Sequence, residues 1–449
     1  MKTLENIQNI YFIGIGGIGM SALARYFNTK GKVISGYDKT PSEITKALKK
    51  EGITIHFIED ISIVNALSNK NTLVVYTPAI PTESILLNGF KNQGFKIMKR
   101  ASVLGLITKQ SKCLAIAGTH GKTTTTAILG HLLATANEKV TVFLGGVSEN
   151  YNSNLILNGS KITVVEADEF DRSFLQLHPY IAGITSMDAD HLDIYGDKAH
   201  LAEAFTSFAN LVQNKEFLLH KKGLPLGGKT VGIENNSDYE AQHVRIENGS
   251  YVFDLKTPHI KLKNLILNLP GRHNLFNATL ALGMAICLGS PTSGMPEALF
   301  NFKGVKRRFT YKIKTENLVL IDDYAHHPAE INAVYQAVIE MYPNKKNLVV
   351  FQPHLFSRTR DFGDAFAESL SQFDEIILLD IYPAREKPLE GITSQWLLHK
   401  IKNKKKILST KTQLATELKN SDATVILMLG AGDIGEEVET IKKKLTIED

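Results

Sequence analysis

Cysteine is nearly absent. Cys113 and Cys287 are the only two in 449 residues. Both sit in apolar runs, "KCLAIAG" and "MAICLG", so a disulfide framework is excluded and they read as small core residues of a reducing compartment. Long apolar runs are missing as well. No stretch approaches the roughly 20 residues that span a bilayer, which excludes membrane-spanning helices. Charge of one sign is also missing. Lys and Arg number 51 against 46 Asp and Glu, and the net +5 is a weak bias over this length. The one dense basic run, "KIKNKKK" (400–406), reads as a solvated segment rather than a nucleic-acid arm. The opening "MKTLENIQNIYFIGIGG" carries a glutamate early and does not resemble a signal peptide. No short-period repeat and no low-complexity tract occurs. The expected location is the cytoplasm, with neither nucleic acid nor membrane as a partner.

What is present is enough material for several cores. At this length three domains are expected. Short strands rich in β-branched and aromatic residues alternate with helical segments over the first hundred residues. "NIYFIGI", "KVISGYD", "TIHFI", "TLVVYT" and "KIMKR" are the strands, and strict alternation predicts a parallel sheet with helices on both faces. A boundary is expected near Ser111, giving a first domain over 1–110. The second, 111–308, starts with strand "KCLAIAG", a glycine turn and a long helix. Its stretch from Phe217 to Leu269 changes to short alternating segments, which predicts an antiparallel β insertion. The third, 309–449, is again an open α/β unit. The predicted fold class is therefore α/β in three domains, Rossmann-like at both ends with a P-loop-type domain between.

Two glycine motifs frame the functional question. "GIGGIG" holds Gly14, Gly16, Gly17 and Gly19 between a strand and a helix, in the G-x-G-x-x-G order that approaches a diphosphate. Asp38, nineteen residues after Gly19, stands where an acid can hold a ribose hydroxyl. Taken alone this predicts an NAD-dependent oxidoreductase, although any nucleotide diphosphate fits, including that of a UDP-sugar. "GTHGKTT" (118–124) points elsewhere. Gly118, Thr119, His120, Gly121, Lys122, Thr123 and Thr124 follow a strand and open a helix. Backbone N–H groups there cradle phosphates, Lys122 neutralises them, and the Thr123 hydroxyl reaches a hard cation. Gly118 precedes Gly121 by three positions, a shorter spacing than in the usual phosphate loop. A second G-x-G-x-x-G, Gly430 to Gly435, reads equally well as a tight turn.

Further chemistry gathers at strand ends. "VVEADEFDRS" crowds Glu166, Asp168, Glu169 and Asp171 there, and the stretch alone leaves open a metal site or a solvated acidic loop. "SMDADHLDIYG" adds His191 between acids. Lys122 with Thr123, Glu166 and His191 from three strand ends form the constellation of a metal-assisted phosphoryl site. Imidazole points to a Mn²⁺-tolerant second position beside Mg²⁺. Asn274 and Asn277, three apart on a helix, can read adenine, while Asn274 can equally cap that helix. "GVKRRFTY" offers Arg307 and Arg308 to phosphate. "IDDYAHHP" brings Asp322, Asp323, Tyr324, His326 and His327, and "FQPHLFSRTRDF" brings His354, Arg358 and Arg360. So much His and Arg at adjacent strand ends suits capture of a carboxylate.

Eight motifs in this order resemble the Mur ligases, the ATP-dependent amide-forming enzymes of peptidoglycan synthesis. They are "FIGIGGIGMSALA", "GTHGKTTTT", "EADEFDRSF", "DADHLDIYG", "GRHNLFNA", "VKRRF", "DDYAHHP" and "FQPHLFSRTRDF". The resemblance implies joining of L-alanine to the lactyl carboxylate of UDP-N-acetylmuramate through an acyl phosphate, with ATP and Mg²⁺. It implies Gly14, Gly16, Gly17, Gly19, Asp38 and His120 for the UDP-sugar. Lys122 and Arg308 then serve phosphate, Thr123, Glu166 and His191 the metals, Asn274 and Asn277 adenine, and Asp323 ribose. Tyr324, His326 and Arg358 line the amino-acid site. The implied state is a monomer or weak homodimer. Ser186, Asp188 and Leu355 depart from the family pattern, leaving contacts at those positions open. A family member that reattaches recycled murein tripeptide is the near rival, and hydride transfer is a distant one.

Overall fold

The computed structural model describes residues 6–188, 195, 197–384 and 386–446. The N-terminal sheet contains β1 (Asn9–Ile13), β2 (Val33–Tyr37), β3 (Thr54–His56), β4 (Thr72–Tyr76) and β5 (Lys96–Lys99), in the order β3-β2-β1-β4-β5. All its pairs are parallel. The order reverses between β1 and β4, so the loop after β1 opens on the crevice where such sheets bind ligands. The helix Ile18–Thr29 follows that loop and turns Met20, Leu23, Ala24 and Phe27 into the core.

Ten strands form the central sheet. They are β6 (Lys112–Ala117), β7 (Val140–Ser148), β8 (Ser153–Leu157), β9 (Ile162–Glu166), β10 (Pro179–Ile184), β11 (Leu218–Lys221), β12 (Lys229–Ile233), β13 (Tyr239–Glu247), β14 (Ser250–Lys256) and β15 (Lys261–Leu267). Their order is β15-β14-β13-β12-β11-β10-β6-β9-β7-β8. Strand β6 is an almost unbroken apolar run and is buried from Cys113 to Ala117, as a central parallel strand must be. Asn154 of β8 locks the N-terminal sheet's first helix in place. Its amide donates to Ile18 O at 2.6 Å and to Ser21 Oγ at 2.9 Å.

The stretch from Phe217 to Leu269 is only partly the antiparallel insertion expected. β11 and β12 run parallel to their neighbours and extend the central sheet, and β13 begins parallel to β12. The turn at Asn248–Gly249, both at positive φ, then reverses the chain into β14, and Thr257 N–H to Ile260 O closes the next reversal into β15. Alternation of apolar and polar residues is the same in both kinds of pairing, so it does not distinguish them. Cys113 is buried, and Cys287 is only half-buried, short of the core position expected.

The C-terminal sheet contains β16 (Thr310–Lys314), β17 (Val319–Asp323), β18 (Asn347–Phe351), β19 (Glu375–Leu378), β20 (Lys406–Leu408) and β21 (Val425–Leu429). Its order is β16-β17-β21-β18-β19-β20, and only the edge strand β16 pairs antiparallel. Apolar clusters cover both faces, one around Phe351, Phe366 and Ile331, the other around Met428, Val438 and Leu418. The basic run over 400–406 is partly engaged: Lys400 pairs with Asp364 at 2.7 Å and Lys405 with Glu375 at 3.3 Å. The chain divides into two compact units. One holds Met1–Arg245, Val252–Leu267 and Phe276–Lys303, and the other holds Ile246–Tyr251, Asn268–Leu275 and Gly304–Asp449. Among the described residues no helix is long and apolar enough to cross a membrane.

Candidate active site

The first glycine loop is held by its own acid. Gly16 N–H donates to Asp38 Oδ2 at 2.7 Å, and Thr40 N–H to Asp38 Oδ1 at 3.1 Å. A phosphate that takes the Gly16 N–H must displace this carboxylate. Gly14 turns the chain at φ +87°. Gly19 faces Arg100: a Cβ there would lie 2.8 Å from Arg100 Nη1. Arg100 also pairs with Asp168 at 3.3 Å. Sequence reading passed over Arg100, although it directly follows parallel strand β5, where ligand-facing residues collect.

The phosphate loop joins β6 to the helix Lys122–Thr135. Gly118 and Gly121 both take positive φ, at +132° and +84°. A Cβ on Gly121 would also lie 2.5 Å from Asn277 Oδ1, so the buried Asn277 amide rests against the loop. Ser186 is the loop's second support. Its hydroxyl lies 2.7 Å from Thr119 Oγ1 and accepts His120 N–H at 3.0 Å. Asp188 N–H donates to Thr119 Oγ1 at 3.2 Å. The Ser186 departure therefore has a role in holding the loop, whereas Asp188 reaches the loop only through its backbone N–H, which any residue supplies. Thr124 is buried in the first turn of the helix.

Lys122 Nζ reaches back over the loop to Gly118 O and contacts Glu169 Oε1 and Oε2 at 2.9 and 2.8 Å. Burial works against its charge, but Glu169, Asp168 and Glu166 outweigh this and hold its pKa above the usual lysine value. The Glu169 side chain is 1% exposed, and Tyr195 Oη donates to its carbonyl at 2.6 Å. The acidic strand end thus divides its labour. Glu169 pairs with Lys122, Asp168 with Arg100, and Asp171 with Lys99 at 3.1 Å.

Glu166 does something different. Its Oε2 accepts from Thr123 Oγ1 at 3.0 Å, and its Oε1 accepts from Gly145 N–H. Two hard oxygens side by side at the mouth of a phosphate loop fit a divalent cation that wants oxygen ligands. Among the described residues no group of three His, Cys, Asp or Glu forms a metal cluster. His191 lies outside the described residues.

The C-terminal unit builds its own group of side chains at the ends of β17 and β18. Asp323 is buried and accepts Phe309 N–H at 2.6 Å and Ala325 N–H at 2.7 Å. Burial pushes its pKa up to about 6, against the pull of Arg308. The Arg308 guanidinium lies 5.3 Å from the Tyr324 ring centre and 3.7 Å from Glu330 Oε1. Glu330 Oε2 also accepts His326 N–H at 3.0 Å. Burial lowers the His326 pKa, partly offset by Glu330. The His326 and His354 rings stand 6.1 Å apart, and Arg358 Nη1 lies 3.4 Å from His354 Nδ1. Leu355 holds φ +71°, a strained value for a branched residue, and its N–H donates to Tyr382 O at 3.0 Å. Asn274, at the start of the helix Arg272–Leu288, donates to Pro270 O at 2.7 Å. Glu330 was not singled out by sequence reading; its position four residues after His326 was the available signal.

A glycine loop at a sheet switch point, a lysine-bearing phosphate loop and an oxygen pair beside it define an α/β nucleotide-phosphate enzyme. Residues 9–112 match the Mur ligase family, catalytic domain; 116–285 match the Mur ligase middle domain; 307–432 match the Mur ligase, glutamate ligase domain. The chain belongs to the Mur ligase family. It is 60% identical over 448 residues to the UDP-N-acetylmuramate--L-alanine ligase of Christiangramia forsetii, covering 99% of each chain. The protein of that name from Parabacteroides distasonis is 45% identical, with 98% of each covered. The crystal structure of the UDP-N-acetylmuramate-alanine ligase from Thermotoga maritima superposes with a TM-score of 0.83 at 28% identity, over 97% of this chain and 99% of that one. A murein peptide ligase from Psychrobacter arcticus shares the fold at 18% identity and a TM-score of 0.70, over 98% and 100%.

Proposed function

We propose that the protein joins L-alanine to the lactyl carboxylate of UDP-N-acetylmuramate, with conversion of ATP to ADP and phosphate. The observation that carries this is 60% identity across 99% of both chains to a relative bearing that name. The rival, reattachment of recycled murein tripeptide, has in its favour a likeness of fold at 18% identity. Hydride transfer would leave Lys122, Glu166 and the C-terminal histidines without a task.

The lactyl carboxylate oxygen attacks the γ-phosphorus, the bridging P–O bond breaks, and ADP leaves. The amine of alanine then attacks the acyl phosphate carbon. Phosphate departs with the oxygen that attacked, and the nitrogen loses a proton as the amide forms. The first step brings an anion to an anion, so cationic groups must cancel charge as it develops. Lys122 and the N–H groups of 118–124 fill that role on the phosphates, aided by Arg308. Thr123 and Glu166 would hold Mg²⁺, with His191 at a second position that also tolerates Mn²⁺; the metal supplies further charge neutralisation there. Asn274 and Asn277 contact adenine and Asp323 ribose. Gly14, Gly16, Gly17, Gly19, Asp38 and His120 take the UDP-sugar, and Tyr324, His326 and Arg358 the amino acid.

We assign these roles to three domains, 1–110, 111–308 and 309–449, in a cytoplasmic monomer or weak homodimer. The test is ADP release with UDP-N-acetylmuramate present and L-alanine or murein tripeptide added in turn. Release that depends on alanine, with a new amide product, is the expected result. Release with tripeptide alone would transfer the function to recycling.

A further inference from the structure

The second glycine motif, Gly430 to Gly435, remains without a role in this reaction. Its surroundings supply one. Arg307 takes φ +60° in the segment leading into the C-terminal sheet. Each of its three guanidinium nitrogens makes a hydrogen bond. Nε donates to Asp322 Oδ1 at 3.3 Å, Nη1 to Gly432 O at 3.4 Å, and Nη2 to Gly430 O. Its centre lies 5.2 Å from the Tyr324 ring centre. The third motif glycine lets this happen. A Cβ on Gly435 would lie 2.4 Å from Arg307 Cζ and 2.6 Å from Nη1. Such a clash is relieved cheaply only by a side chain free to swing, and this one is held at four points. Gly432 is close to protein as well: a Cβ there would lie 2.4 Å from Gln352 Oε1. The Asp322 carboxylate is 3% exposed, and burial pushes its pKa up while Arg307 opposes that shift.

We propose that this glycine motif is a socket for Arg307, and that Arg307 is a positioning residue for the ligase reaction. The socket ties three pieces of chain together: the entry segment, the end of β17 and the turn after β21. Arg308, next along the chain, and Tyr324, against the guanidinium, take their places from it. Tyr324 N–H donates to Arg307 O at 2.8 Å, which adds a backbone tie. Lysine cannot substitute, because a single ammonium does not span a carboxylate and two carbonyls in one plane.

This inference rests on the ligase reading, so wild-type turnover with alanine is the first control. If wild type fails, that reading fails, and the socket is judged by unfolding alone. The experiment is a double-mutant cycle with Arg307→Met and Gly435→Ala. It reads kcat, KM for ATP and alanine, and thermal unfolding. Each single variant is expected to lower kcat by about tenfold or more, since small misplacements of reacting groups are costly. The double variant is expected to be no worse than Arg307→Met, because the added methyl then meets no guanidinium. If Arg307→Met does not fold, Arg307→Lys takes its place in the cycle. Independent, multiplying losses would overturn the proposal and return the glycines to a ligand. Wild-type kcat in either single variant would overturn it as well.

Discussion

Lys122 and Glu169 show how one residue pair both builds and arms a site. The carboxylate is almost fully enclosed, and the ammonium sits 2.8 Å away on the phosphate loop. Removing one member of a buried pair costs about 3 kcal/mol or more, because the other charge stays behind in a poor solvent. Lys122→Met is therefore expected to lose both stability and turnover. Adding Glu169→Gln should return most of the stability and none of the turnover. Chemical unfolding and ADP release, measured on the same three proteins, check this. Recovery of turnover in the double variant would remove Lys122 from the chemistry. Lys122, Thr123 and Glu166 were legible in the sequence because each follows a strand in a recognisable pattern. The division of four acids into three ion pairs and one threonine partner was not. Their partners Lys99 and Arg100 are far away in sequence, and only the packing of the first two sheets brings them close.

At the scale of elements, the phosphate loop depends on its neighbour strand. Ser186, just past β10, bonds through its hydroxyl to Thr119 and His120. Ser186→Ala deletes both bonds from a buried position. At about 1 kcal/mol per bond, with part absorbed by the fold, KM for ATP should rise about tenfold. Steady-state kinetics at varied ATP test this. An unchanged KM would show that the loop keeps its shape without the Ser186 hydroxyl. Ser186 looked like a departure from the family, and only the structure turns it into a loop support. Most strands were readable, since β-branched runs are a local signal, although β8 and β16 were not singled out. Their direction was not. β12 and the start of β13 extend a parallel sheet through connections shorter than a helical crossover, and composition carries no trace of that choice. The second glycine motif is a similar case: its spacing was plain, while its occupant, Arg307, lies more than a hundred residues earlier.

The whole molecule carries a glycine loop after β1, a glycine-lysine loop after β6 and a strand-end cluster rich in His and Arg in one chain of the Mur ligase family. Its order of motifs was visible because each unit is an α/β sheet with chemistry after strand ends, a rule that survives without coordinates. The central claim is that a carboxylate of UDP-N-acetylmuramate is phosphorylated and then captured by alanine. The most direct test labels both oxygens of that carboxylate with ¹⁸O and follows the label by mass spectrometry during turnover with ATP and L-alanine. The account predicts one labelled oxygen in each phosphate released and the other in the new amide. Unlabelled phosphate, with both labels retained in the sugar nucleotide, would contradict it.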